Sequence, residues 1–440
     1  MIAIRKSSRT QPRPPASAAS APKKVGSGSA ALVAAMMMVN AVNFGVNIWL
    51  ASVLSPEAFG DISLMVTLLL VFGVLACVLQ LTTSVAVLNP DRDTANDLRA
   101  MRLLTNRIGL GGALALAISA PQLTDLLQVG SPWALLVMAL GLPVHLQLAV
   151  ERGRLHGEMS FGRLTGTLLA EGVGRAIATV ISVLLLRNLL GLTIALNIGF
   201  IAGYLVCRPR LGRWSWCDIS SPSDHPPLRS VGVGLIAVTA LTNIDLVIAK
   251  VAFDPATAGG FAALTLAGRI VFFGSWTIQQ AVLPFVSAEN PSFSAVLRRR
   301  AFMIGNIFLC AVLVAGAWIT ADVWVAITYG TDFADLAFLV GPYALGAAFV
   351  AVAAGSAMLS SVGGNPLPAV CLLAGAIALG TLLFIRAGSL ESFVFTRTVV
   401  VGVLVLTTWG IAIVGNRATQ RNVAQRSGRT RRLVPGGQSA

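Results

Sequence analysis

Charge is scarce in this chain: of its 440 residues only 11% are Asp, Glu, Lys or Arg, while 55% are apolar. A water-soluble surface needs roughly a quarter or more of its residues charged, so a soluble globular protein is excluded. Strong β-alternation is also missing, which leaves helices rather than a barrel to satisfy the backbone in lipid. No glycine-rich loop ends in Gly-Lys-Ser or Gly-Lys-Thr, and that argues against ATP hydrolysis within the chain. Histidine is rare: His145, His156 and His225 each lack a second histidine or carboxylate at ligand spacing, so no zinc centre or other metal or cofactor is expected. Cys77, Cys207, Cys217, Cys310 and Cys371 form no CxxC pair and read as packing residues.

What is present is a succession of long apolar runs with mean hydropathy +0.79. Most exceed the roughly 18 to 20 residues that cross about 30 Å of hydrocarbon. Twelve spans are expected, at 30–54, 60–88, 103–120, 132–150, 164–186, 190–206, 230–253, 259–288, 301–320, 335–360, 367–385 and 392–414. They divide the chain into a disordered basic tail (1–29), a six-helix bundle (30–207), a Pro-, Ser- and Trp-rich linker (208–229), a second bundle (230–414) and a second basic tail (415–440). In the linker, Trp214 and Trp216 are expected at the interface. The basic start is too long, and its apolar continuation too extended, for a cleaved signal peptide.

The net charge of +14 is distributed like a topology signal, not like a nucleic-acid surface. With the N-terminus inside, all of the lysines and arginines except Arg175, Arg187, Lys250, Arg269, Arg386 and Arg397 fall in cytoplasmic segments or at their borders. Both termini are therefore expected in the cytoplasm.

A repeat links the halves. The segment from Asn47 through Ser55-Pro56 to Gly60-Asp61 aligns with Leu246 through Asp254-Pro255 to Gly259-Gly260. Each is an apolar run, a small polar residue with proline, and a glycine that opens the next run. An even number of spans separates the copies, so both run the same way and the halves are related by an axis along the membrane normal. Such halves can rock about a central cleft.

Ionisable groups inside spans are costly and become functional candidates. Arg269 is expected near the midplane of the eighth span, within reach of Asp245 in the seventh. The two form either a gated ion pair or a cationic headgroup site on the functional reading, or a permanent structural pair. Glu171 and Arg175 stand one helical turn apart on one face of the fifth span. Lys250, near an outer end, either snorkels to headgroups or contacts substrate. Arg187, Arg386 and Arg397 are also near outer ends, with Arg397 deep enough to be a candidate for the second half's cavity. Asn40, Asn43 and Asn47 form an amide stripe that either lines the cleft, bonding sugar hydroxyls or a diphosphate, or ties the first helix to its neighbours. Gln80, Gln279, Gln280 and Asn243 carry the same ambiguity. Glu57 and Asp61, at the first outer turn, read as solvated surface.

Through the segments Asn43 to Gly60 and Asn243 to Pro284, the chain resembles the polysaccharide transporter branch, the O-antigen and capsule repeat-unit flippases, of the multidrug/oligosaccharidyl-lipid/polysaccharide exporter superfamily. The resemblance rests on Asn43-Phe44-Gly45-Val46-Asn47 through Leu54-Ser55-Pro56-Glu57-Ala58-Phe59-Gly60. It rests also on Asn243 to Lys250, continuing through Ala258-Gly259 to Leu266-Ala267-Gly268-Arg269-Ile270 and Ile278 to Pro284. It implies an all-α polytopic membrane protein whose twelve transmembrane helices form two pseudo-symmetric six-helix bundles around a central V-shaped cavity. It further implies a non-enzymatic flippase of the bacterial plasma membrane, working by alternating access. The cargo would be a polyprenyl-diphosphate-linked oligosaccharide for surface polysaccharide synthesis, moved from the cytoplasmic to the outer leaflet. Membrane lipids, glycan polymerase machinery, and a coupling cation or the membrane potential are the expected partners. Arg269, Lys250 and Arg175 could neutralise the diphosphate. The alternative is a drug or metabolite antiporter of the same superfamily, for which an acidic cleft is expected.

Overall fold

The computed structural model describes residues 22–88, 94–186, 188–207, 226–286, 293–329, 336–362 and 365–432. Arg187, Trp214, Trp216, Cys217, His225, the linker up to residue 225 and the side chain of Gln280 lie outside the described residues.

The described residues are all-helical. The first lobe contains α1 (Pro22–Val53), α2 (Pro56–Leu88), α3 (Thr94–Leu126), α4 (Pro132–Gly157), α5 (Phe161–Leu185) and α6 (Leu189–Cys207). The second contains α7 (Pro226–Ala252), α8 (Pro255–Val286), α9 (Phe293–Ile319), α10 (Ala321–Tyr329), α11 (Ala337–Val362), α12 (Leu367–Ile385) and α13 (Leu390–Arg432). Twelve are long and apolar enough to span a membrane. The thirteenth, α10, has nine residues and no expected counterpart, being too short to register as a span. Residues 22–29 and 415–432 are helical, continuing α1 and α13 past their spans Ala31–Val53 and Leu390–Ile411.

Proline starts α2, α4, α7 and α8, where its missing N–H costs nothing and its fixed φ suits the first turn. Ahead of α8, Asp254 accepts the N–H groups of Ala256 (3.1 Å) and Thr257 (3.0 Å). The Thr257 hydroxyl, followed by these backbone donors, holds the Asp254 carboxyl below the usual carboxylate range.

The two lobes repeat one packing scheme. Within the first, α4 packs on α2, α3 and α6, and α5 packs on α1 and α6; within the second, α11 packs on α8, α9 and α13, and α12 packs on α7 and α13. The central helices α4 and α11 are the most buried of their lobes because each is enclosed by three neighbours. Gly153 of α4 lies so close to the Gln80 carbonyl of α2 that a side chain there would collide with it.

One face of the bundle gathers the described starts of α1 and α7 and the far end of α13; it is the terminal face. At the opposite face lie the turns between α1 and α2, α3 and α4, and α7 and α8. There the lobes meet, with α2 packed against α7 and α8. Gly60 and Gly259, the repeat's two glycines, face each other: a Cβ on Gly60 would be 3.1 Å from the Gly259 Cα, and one on Gly259 would strike the Pro56 carbonyl. Gly259→Ala is therefore expected to pry the lobes apart at this face at a cost of about 1 to 3 kcal/mol. Nitroxide distances between positions 57 and 256 check it, and an unchanged distance would contradict the close-packing argument.

Candidate functional site

A cavity of about 550 Å³ lies between α1, α2, α5 and α6 of the first lobe and α8 of the second. That volume is in the range of small-molecule sites. The amide stripe Asn40, Asn43 and Asn47 lines it, with Glu171 and Arg175 of α5, Arg269 of α8 and His145 of α4. Asn47 Nδ2 donates to the Asn43 carbonyl at 2.7 Å, leaving its Oδ1 available as an acceptor.

The charges in the cavity are unequal. Glu171 is held by Arg152 at 2.7 Å and by Arg175 at 3.7 Å. Arg152 also donates to the Thr167 hydroxyl at 3.1 Å and carbonyl at 3.0 Å. Among the described side chains that line the cavity, Arg175 and Arg269 stand against one carboxylate, Glu171, which Arg152 also pairs from outside the lining, so the lining carries a formal excess of one positive charge. Arg269 crosses between lobes, donating to the Thr67 hydroxyl of α2 at 2.7 Å. Measured along their helices, Arg269 lies ~21 Å and Arg175 ~15 Å from the opposite face, and their side chains lean toward one another's level. His145 packs its ring against Phe200 at 4.3 Å between centroids, and neither ring nitrogen has a hydrogen-bond partner.

Asp245 is not the partner of Arg269. Its Oδ2 accepts the Arg397 Nε–H at 2.5 Å and the Tyr343 hydroxyl at 2.8 Å, and its Oδ1 accepts the Leu246 N–H at 2.8 Å. The Arg397 guanidinium lies 4.1 Å from the Tyr343 ring centroid, in cation–π contact. Asp245, Tyr343 and Arg397 are all buried inside the second lobe, and none lines the cavity. Asp245 and Arg269 form no direct ion pair, because Asp245 bonds Arg397 of α13 and Tyr343 of α11 whereas Arg269 bonds Thr67 of α2, although the two charges remain near enough to act on each other.

Lys250 corrects a second expectation. Instead of reaching headgroups it is fully buried and pairs with Asp61 of the other lobe at 2.7 Å. Asp61 Oδ2 also accepts the Gly130 N–H at 2.9 Å, and Lys250 donates to the Gln128 carbonyl at 3.4 Å. Gln128 holds a left-handed conformation, φ 49°, which closes the turn after α3, and its Nε2 donates across the lobes to the Phe253 carbonyl at 3.4 Å. Asp61 is therefore not the solvated turn residue its position suggested. The pair, with the apposed glycines, closes the opposite face above the cavity.

Gln279 serves packing: its Nε2 donates to Ser275, Asn306 and the Ala351 carbonyl, tying α8 to α9 and α11. Asn243 bonds the Thr239 carbonyl one turn back. Gln80 is half-buried away from the cavity, and Arg386 is exposed at the end of α12.

Sequence reasoning missed Asp61, Thr67, Gln128, Arg152 and Tyr343 as partners of the candidate charges. Arg152 resembled one more basic residue at a membrane border. Its position on the same helical face as inward-pointing Leu148 and Leu155, four residues before it and three after, marked it as buried.

A family model described as polysaccharide biosynthesis protein matches residues 49–221. No curated protein matches the chain. Among solved structures, the inward-facing form of a multidrug-resistance MATE-family transporter of the MOP superfamily is 14% identical. It covers 86% of this chain and 95% of its own, with a TM-score of 0.71. The outward-facing form of such a transporter is 13% identical over 91% of this chain and 97% of its own, with a TM-score of 0.66. A MOP-superfamily transporter from Pyrococcus furiosus, described as having a binding pocket of reverse polarity, is 14% identical over 90% of this chain and 96% of its own, with a TM-score of 0.59. The chain is thus a twelve-span helical protein that shares the fold of MOP-superfamily transporters, and residues 49–221 are similar to a family described as polysaccharide biosynthesis protein.

Proposed function

We propose that the protein is a flippase for a polyprenyl-diphosphate-linked oligosaccharide, carrying its headgroup from the cytoplasmic to the outer leaflet of a bacterial inner membrane. The observation that carries this reading is the cavity's charge: Arg175 and Arg269 line it, and the one carboxylate among its described lining residues, Glu171, is already paired with Arg152. A diphosphate cannot enter hydrocarbon bare, and preorganised guanidinium groups replace its water by charge-assisted hydrogen bonds. The polyprenyl tail need not enter, since it is as apolar as the surrounding lipid.

With the terminal face in the cytoplasm, the closed opposite face makes this the state that loads from the inner leaflet. The amides of Asn40, Asn43 and Asn47 then offer neutral contacts for the headgroup. Arg175, Arg269 and the Asn stripe act on substrate; Lys250 with Asp61 acts as a gate; Asp245 with Arg397 supports the second lobe. An exporter of organic cations would need the opposite polarity in this cavity.

The test is leaflet-resolved translocation of a defined diphosphate-linked glycan in proteoliposomes. Arg269→Gln keeps a polar, hydrogen-bonding end on a shorter side chain while removing the charge, and is expected to slow translocation at least about tenfold with thermal stability preserved. Wild-type protein that leaves such a lipid in its original leaflet, or an Arg269→Gln protein as fast as wild type, would remove the proposal.

A further inference from the structure

The cavity continues past its arginines toward the opposite face as a recess with different chemistry. Along α1 and α5, Asn47 and Thr179 stand level with each other, ~9 Å from the helix ends, or ~6 Å beyond Arg175. Around them the wall is aliphatic: Leu50, Ile62, Leu192 and Leu196. No charged side chain lines this upper part among the described residues, and the Asp61–Lys250 contact seals the face above it.

Resting on the diphosphate reading above, we infer that this recess receives the first sugar of the headgroup and selects an uncharged sugar with apolar substituents, such as an acetamido or deoxy sugar. The phosphates would stop at Arg175 and Arg269, so the sugar attached to them points beyond, toward the closed face. Asn47 Oδ1 and the Thr179 hydroxyl can meet one or two of its polar groups. The leucine and isoleucine methyl groups match an acetyl or C-methyl group. Glucose differs from its acetamido derivative only at C2, where it would put a hydroxyl against the aliphatic wall in place of the acetyl methyl group, and a uronic acid would bury a carboxylate there.

The experiment measures binding of four lipids to the full-length protein in nanodiscs: polyprenyl diphosphate without sugar, and the same lipid carrying 2-acetamido-2-deoxyglucose, glucose or glucuronic acid. The acetamido lipid is expected to bind about tenfold more tightly than the glucuronic acid lipid, with glucose between. Thr179→Val, nearly isosteric, is expected to weaken the acetamido lipid several-fold while leaving the sugar-free lipid unchanged, and Asn47→Leu is expected to weaken the acetamido lipid more than the sugar-free one. Equal affinity for the three sugars, or equal loss for all four lipids in both variants, overturns the recess. The diphosphate reading is tested separately by the sugar-free lipid. If its binding is indifferent to Arg269→Gln, that reading falls and takes the inference with it; if the Arg269 dependence holds while the sugars are not distinguished, the recess alone falls.

Discussion

In the Lys250→Met protein, nitroxide labels at positions 57 and 256 are expected to move apart, reporting lobes that separate at the face they close in the wild type. Lys250 is fully buried and Asp61 nearly so, and they belong to different lobes. Removing one member of a buried ion pair leaves the other charge uncompensated, at about 3 to 5 kcal/mol. Asp61 keeps the Gly130 N–H and some exposure, so the lower figure applies. About 3 kcal/mol shifts a two-state equilibrium by roughly a hundredfold, enough to invert a modest preference for the closed face. The double variant Asp61→Leu, Lys250→Met removes both charges and is expected to recover part of the closed population, because aliphatic side chains can pack where the pair stood. Identical distance distributions in wild type and Lys250→Met would show that the pair does not hold the face shut.

Arg397→Leu is expected to destabilise the second lobe by about 3 kcal/mol, read as a fall in thermal midpoint in detergent, while the cavity's affinity for ligand changes little. The loss comes from Asp245, which keeps the Tyr343 hydroxyl and the Leu246 N–H but loses its charge partner. Asp245→Leu combined with Arg397→Leu should therefore recover most of the midpoint. A single variant as stable as wild type would mean that the network carries no net stability, and a selective loss of ligand binding in the single variant would return Asp245 and Arg397 to the site.

The spans were legible because lipid enforces length and composition: a run such as 367–385 can hardly be anything else, and the structure has α12 at Leu367–Ile385. The paired Ser-Pro and Asp-Pro turns showed the repeat, and the Asn40, Asn43 and Asn47 stripe showed a polar face that the cavity uses. Side-chain partnership was much less legible. Helical periodicity tells which face a residue occupies but not which helix lies opposite. Asp245 thus looked within reach of Arg269 in the next span, whereas its partner stands on α13, 152 positions away. Asp61 was misread for a related reason. A carboxylate one turn into a helix is ordinarily wet, and only the approach of the other lobe, permitted by Gly60 and Gly259, makes it dry. Arg152 was hidden by its neighbours, since a basic residue at a membrane border normally points to water; this one reaches inward to Glu171.

The two lobes share a packing scheme but have divided their labour. Where the first lobe is hollow, the second has filled its interior with its own acid, phenol and guanidinium. On the flippase reading, a load held by Arg175 of one half and Arg269 of the other would straddle the seam, resting on a wall that the first half supplies from several helices and the second from α8 alone.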